Sequence, residues 1–345
     1  MVLTLTVGFS RNPRIEPLLR GAARAQNIDL RFVLVRPAEL FYRNLKYEEF
    51  DLFEMSISEY LMTRERREGS RWQWIGLPIF LSKAFLWLQL YVNERAGIQD
   101  LTDLKGKRVG IPDYPMTAAL WMREFLKELY GITPEKIAWY NGRTRDLSHG
   151  GILGLDRNPP VGVDLHWLTE ELTLDGMLDK GEIDAAYGVA PGQHAEPAGL
   201  LSMDRYGATP IEGNPRIRRL LPDSGQQVVA DYHRRTGLLP SNHMVVVKSS
   251  VLDKSPWVAL ELFQAFQKSK ELAYQWSKEM GRAYLLFEGE DFKRQADLFG
   301  DDPYPLGLDA NRGMLERLAR ASLEQGLTSS LACVDELFHP STRDT

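Results

Sequence analysis

A single cysteine, Cys333, stands in 345 residues. No internal disulfide can staple such a chain, and no CxxC or Cys/His cluster is present to hold a structural zinc. Long apolar runs are missing as well: no stretch approaches roughly 18 consecutive apolar residues, so no membrane partner is expected. Excess positive charge is also lacking. A formal net charge of -5 argues against a duplex nucleic-acid binder, which displays a clustered basic face to release phosphate counterions. The run Arg64-Glu65-Arg66-Arg67-Glu68 is mixed in sign and reads as a solvated helix end. Neither an internal repeat nor a low-complexity tract is found.

The opening residues Met1 to Gly8 alternate like a strand and carry neither the basic start nor the apolar stretch of a leader. A cytoplasmic chain is therefore expected. Several catalytic signatures are absent: no GxSxG elbow, no HExxH, no GxxxxGK[ST], and no GxGxxG after the first strand. Routine hydrolase, metalloprotease and nucleotide chemistries drop out with them.

What is present is a hydrophobic content of 43%, enough for a core, in a chain long enough to divide into two lobes. Strand and helix patterns alternate from the start: a strand at 3–7, a helix at 17–26, a strand at 28–35, another helix, then the apolar segment 52–57. Two further strand-like runs cover 71–80 and 85–93, after which "DLTDLKGKRVGIP" restarts the cycle. A strand at 107–111 leads into a long amphipathic helix, followed by strands at 136–140 and 183–188 and helices at 172–180 and 224–236. "SNHMVVVKS" reads as a last strand, with helices at 256–279 and 310–325 behind it. The alternation predicts α/β architecture with mostly parallel sheets. Its simplest topology has two lobes joined by two crossing strands, residues 1–92 plus 241–345 forming the first lobe and 93–240 the second. The cleft between them is the expected ligand site. Residues 141–162 and 189–215, rich in Gly, Pro, Asn and Arg, read as loops.

Ligands in open α/β sheets bind at the carboxyl ends of strands. Ser10-Arg11-Asn12, then Ser56 and Ser58, then Asp113-Tyr114-Pro115-Met116-Thr117 occupy such positions. The helix that opens after Pro115 offers backbone N–H groups and a partial positive charge, a seat for a carboxylate; the plainer reading is that Asp113 or Thr117 caps it. Arg11 could clamp a second carboxylate bidentately, or stand as a surface charge. Arg143 and Arg145 follow another second-lobe strand and could reach the cleft or be solvated. The aromatics between Trp72 and Tyr91, Trp87 included, could line an aromatic pocket or pack as core.

Six histidines supply proton-transfer candidates. His243 starts the last strand at the cleft's hinge edge, either as a proton carrier or as a hydrogen-bonded hinge residue. His194 follows the strand ending at Gly188, while His149, His166, His233 and His339 have weaker positions. No two histidines are three or four residues apart, so no helical metal pair exists. The residues require no cofactor; a divalent metal held by distant side chains stays open.

The stretches "FDLFEMSISEYL", "DLKGKRVGIPDYPMTAALWMREFLKELYGI", "GEIDAAYG" and "RLLPDSGQQVVADYHRRTGLLPSNHMVVVKSSVLDKSPWVALELFQAF" together resemble the 4,5-dihydroxyphthalate decarboxylase family, which is similar in turn to type II periplasmic-type solute-binding proteins. The resemblance implies a two-lobe binding-protein fold and nonoxidative removal of a ring carboxylate from a hydroxylated aromatic acid. That reaction needs an acid for the ring carbon, help for hydroxyl ionisation and a seat for carboxylates. His243, with His194 as second candidate, is assigned the proton transfer. Arg11 and the Tyr114 to Thr117 turn are assigned the carboxylates and Ser56 and Ser58 the ring hydroxyls, with Asp113, Arg143 and Trp87 as further substrate-binding candidates.

Two departures from the family pattern bear on the substrate. Phe85-Leu86-Trp87 stands where the family follows its phenylalanine with Arg-His, and Asn242 precedes His243 where the family has an apolar residue. The expected partner is a small aromatic or other carboxylate, with a homo-oligomer possible. A noncatalytic solute-binding protein, and a related lyase or isomerase on another acid, are the alternatives.

Overall fold

The computed structural model describes residues 2–67, 69, 71–83, 85, 88–187, 203, 209–221, 223 and 225–345. In chain order these give β1 (Leu3–Phe9), α1 (Glu16–Leu19), β2 (Ile28–Leu34), α2 (Pro37–Tyr47), β3 (Leu52–Ser56), α3 (Ile57–Arg66) and β4 (Trp74–Lys83). After the first crossing come β5 (Leu90–Asn93), β6 (Arg108–Ile111), α4 (Thr117–Tyr130), β7 (Ala138–Asn141), α5 (His149–Ile152), β8 (Asp164–Trp167), α6 (Leu174–Lys180), β9 (Ala185–Tyr187), β10 (Ile217–Arg219) and α7 (Gln226–Thr236). The chain then returns through β11 (Ser241–Lys248), α8 (Ser249–Lys254), α9 (Trp257–Tyr284), α10 (Glu288–Phe299) and α11 (Leu308–Glu324).

Two sheets result, a five-stranded one ordered β2-β1-β3-β11-β4 and a six-stranded one ordered β10-β5-β9-β6-β7-β8. β1 runs parallel to β2 and β3, while β11 lies antiparallel between β3 and β4. The two α/β lobes expected from the alternation are present. β5 belongs to the six-stranded sheet, so Leu90 to Val92 sit with the second lobe and the crossing precedes them. The helix expected over 17–26 is only the four residues of α1, because the chain turns at Gly21, whose φ of 70° is left-handed.

Period-two side chains divide the first sheet's faces. Leu5, Val7, Leu52, Val245 and Val247 pack with Val258, Leu262 and Phe266 of α9. Phe53, Met55, Met244 and Val246 face a second core that continues into Trp121 and Phe125 of α4, Val109 and Trp139 of the second sheet, and Leu315 and Leu318 of α11. That core spans both lobes. Arg123, fully inside it, stacks on the Tyr114 ring 3.8 Å away and donates to Gln325 just past α11.

Gly76 in β4 marks a close approach to the C-terminal segment. A methyl there would stand 2.8 Å from the Leu337 carbonyl oxygen, backbone fixed by the His339 N–H donating to the Gly76 carbonyl at 3.2 Å. Gly76→Ala is expected to lose roughly 1–3 kcal/mol of stability by overpacking, read as a lower urea midpoint at unchanged slope.

Candidate active site

Strand β3 reads Leu-Phe-Glu-Met-Ser and is buried throughout. A carboxylate in its middle demands partners, since an unpaired buried charge is very costly. Glu54 finds them just past β1 and on β11. One oxygen accepts the Ser10 backbone N–H at 3.0 Å and the Ser10 hydroxyl; the other meets Nδ1 of His243 at 2.8 Å. Burial pushes the Glu54 pKa upward, but the His243 charge and hydrogen bond, with the Ser10 donors, more than offset it. The carboxyl ends below the usual range.

β11 enters its ladder at this point, with His243 opposite Ser56 on one side and Ser82 on the other. Phe41 of α2 meets the imidazole edge-on, centroids 4.9 Å apart. With Nδ1 fixed on Glu54, Nε2 is the nitrogen left for a ligand, and the side chain keeps 19% of its surface exposed. This is the geometry of an oriented proton carrier.

A second constellation joins the lobes. Thr117, the first residue of α4, accepts the Ser58 N–H at 3.0 Å and lies 2.9 Å from the Ser56 hydroxyl. Nearby, His149 of α5 reaches across to the first lobe, Nδ1 standing 2.9 Å from Glu59 Oε1 and Nε2 2.8 Å from the Ala38 carbonyl. A carbonyl only accepts, so Nε2 carries hydrogen and a second proton is shared between Nδ1 and Glu59. Asp113 fastens α5 from below: its oxygens accept the Ser148 hydroxyl at 2.8 Å, the His149 N–H at 2.7 Å and Arg143 Nη1 at 3.2 Å. Arg143 Nη1 also lies 3.4 Å from each imidazole nitrogen of His149.

The predicted site residues therefore separate into groups. His243, Ser56, Ser58, Thr117 and Arg143 line the meeting of the lobes, and the Ser58 hydroxyl is buried without a partner. Met116 precedes α4 half-buried and supplies no side-chain cap, leaving the helix's first N–H groups uncapped from that side. Asp113 and Tyr114 need correction as substrate contacts. Both oxygens of Asp113 are consumed within the second lobe, and the Tyr114 ring is wholly buried between Arg123 and Trp139. Arg11, one residue past Ser10, is exposed and 3.8 Å from Glu16. His194 and Trp87 lie outside the described residues.

Glu54 and Glu59 were not among the sequence candidates, and His149 stood only among the histidines with weaker positions. The first two had a legible signal, acidic residues inside the apolar stretch "LFEMSISEYL". For His149 nothing in the sequence hinted at its partners, because Glu59 and Ala38 come from the other lobe. Among the described residues no group of three or more His, Cys, Asp or Glu side chains is arranged to hold a metal ion, and no helix is long and apolar enough to cross a membrane. A groove of about 1,090 Å³ between α7 and α10, lined by Gln226, His233 and Arg294, touches none of these groups.

Two α/β lobes that share one core form a type II periplasmic-binding-protein-like fold. The solved periplasmic aliphatic sulphonate binding protein of Escherichia coli shares it, at TM-score 0.56 and 12% identity over 98% of this chain and 92% of that one. Sequence comparison goes further: a 4,5-dihydroxyphthalate decarboxylase of Comamonas testosteroni is 29% identical over 99% of this chain and 98% of its own length. Another from Pseudomonas putida is 33% identical over 67% of this chain and 82% of its own. No family model matches the chain. The chain belongs to the 4,5-dihydroxyphthalate decarboxylase family. It is a divergent member and a carboxy-lyase, with chemistry directed at an aromatic carboxylate. The expectation of a cytoplasmic location is overturned by the fold comparison, since the fold is shared with a protein of the periplasm.

Proposed function

We propose that the substrate is a hydroxylated aromatic acid like 4,5-dihydroxyphthalate, and that His243 protonates the ring carbon bearing the departing carboxylate. The observation that carries this reading is the His243–Glu54 pair, with Nδ1 held at 2.8 Å and Nε2 left over for a ligand. Direct loss of CO2 would leave an aryl carbanion. Protonating the carbon first, while a para or ortho hydroxyl gives up its proton and pushes electrons into the ring, forms a dienone instead. The C–C bond then breaks, CO2 leaves, and its electron pair restores the aromatic phenolate, which is reprotonated.

In this scheme Glu54 stabilises the imidazolium before transfer and keeps the tautomer with Nε2 toward the ring. The uncapped start of α4 and the Arg143 guanidinium supply positive potential for the carboxylates, and the Ser58 hydroxyl is a contact for a ring hydroxyl. These groups handle the protons without a metal, so turnover is expected to survive exhaustive chelation.

The test is incubation of purified protein with hydroxylated benzoates and phthalates in heavy water, followed by mass spectrometry. The expected result is CO2 loss with one deuterium at the vacated ring carbon. Binding without turnover across the panel would favour a solute-binding protein, and loss of turnover on chelation that added divalent metal restores would overturn the metal-free scheme.

A further inference from the structure

Lys83 ends β4, its backbone paired with Ser241 two residues before His243. Its side chain is almost fully buried, and Nζ donates to the neutral Asn311 Oδ1 at 2.8 Å. The carboxylate nearest in charge effect, Asp302, is already engaged by Lys270 Nζ at 2.5 Å, by the Tyr274 hydroxyl at 2.7 Å and by the Tyr304 N–H at 3.1 Å. Lys270 thus has an ion-pair partner and Lys83 has none among the described residues. A cavity of about 390 Å³ opens beside Lys83, lined also by His233, Asn311, Met314 and Arg317.

We propose that Lys83 is a carbamylation site for carbon dioxide. The Nζ lone pair attacks the carbon of CO2 and forms an N–C bond. One C=O electron pair moves onto oxygen, and the nitrogen releases a proton. No oxidant or further reactant is required. His233 lines the same cavity and is the group to take the proton: its Nδ1 lies 3.0 Å from the Leu238 carbonyl and donates there, which leaves Nε2 as an acceptor. Arg317, on the same cavity wall, offers a cation to the new carbamate.

The amine is prepared for this reaction by its surroundings. Burial pushes the Lys83 pKa down, Asp302 pulls it back and Lys270 lowers it again, to about 8 from the ordinary 10.5. At neutral pH roughly a tenth of Lys83 is free amine, about two orders of magnitude more than an exposed lysine offers. Carbamylation reverses the charge at the end of β4, next to the strand that carries His243. The bond-forming step needs only dissolved CO2; its meaning as a mark left by the enzyme's own product rests on the decarboxylase reading.

The experiment equilibrates the full chain with ¹³C-labelled bicarbonate near pH 8, traps carbamates with a trialkyloxonium reagent, and maps them by peptide mass spectrometry. Label on Lys83 at tenfold or more the level on exposed lysines such as Lys268 is expected, with the carbamate ¹³C resonance lost in Lys83→Arg. No enrichment on the Lys83 peptide, or a resonance unchanged in Lys83→Arg, overturns the proposal. The wild-type peptide map stands even if the variant folds poorly. Because CO2 is added, the outcome does not depend on turnover, and failure here is distinguishable from failure of the decarboxylase reading.

Discussion

His243→Gln is expected to lower kcat by about 10²–10⁴-fold, the range that a positioned acid or base supplies, with little change in binding of a substrate analogue. Glutamine keeps a hydrogen-bonding end near Glu54 but cannot deliver a proton to carbon. Deuterium incorporation into residual product would slow in step with CO2 release, because one transfer limits both. Equal turnover in the variant would remove His243 from the chemistry. Glu54 gives the same proposal a pH signature. Its folded-state pKa is depressed below the ordinary 4.5, so the pair's contribution to stability is complete above that value. It is lost only as pH falls through the lower folded value. Wild-type urea midpoints should therefore fall on acidification below about pH 4.5 more steeply than those of Glu54→Gln, which has no carboxyl to titrate. Parallel acid limbs would show that the pair contributes nothing.

The pairing of β11 explains why the sequence offered His243 and hinted at Glu54 separately but could not pair the two. "SNHMVVVKS" announces a strand, and a strand that begins at the cleft must place its first side chains there. Glu54 is supplied by a strand nearly two hundred residues earlier, and only the antiparallel register, His243 against Ser56, brings the two together. The same limit applied to the α4 turn. Its residues "DYPMT" open a helix as expected, at Thr117, but sequence does not say which way each side chain turns. Asp113 turns inward to fasten α5, Tyr114 inward to stack on Arg123, and Thr117 across to the serines of the other lobe. Residues 141–162, read as loop from their Gly, Pro and Asn content, do contain mostly turns. Yet the one helical turn within them, α5, is capped by the Ser148 hydroxyl accepting the Gly151 N–H at 3.1 Å and carries the histidine that bridges the lobes.

That bridge is the second place where a large effect is expected. His149 and Glu59 are 1% and 0% exposed, so each depends on the other for charge compensation. His149→Leu fills similar volume but leaves the Glu59 carboxyl with no imidazole and the Ala38 carbonyl with no donor. Removing one partner of such a pair costs about 3–5 kcal/mol, most of it the penalty of the buried group left behind. Replacing both by apolar residues removes the stranded charge too, so Glu59→Leu combined with His149→Leu should be more stable than His149→Leu alone. Urea unfolding of the two single variants and the double variant forms a cycle in which a compensated pair gives strong coupling. Additive losses would mean that the two residues act independently and that this proton-sharing contact does not hold the second lobe against the first. Because Glu59 and Ser58 are adjacent on α3, and Ser58 meets Thr117 through its backbone, a lost bridge should also reduce substrate affinity. A raised KM with kcat little changed is the expected sign of a cleft that closes less often, whereas an unchanged KM would confine His149 to stability.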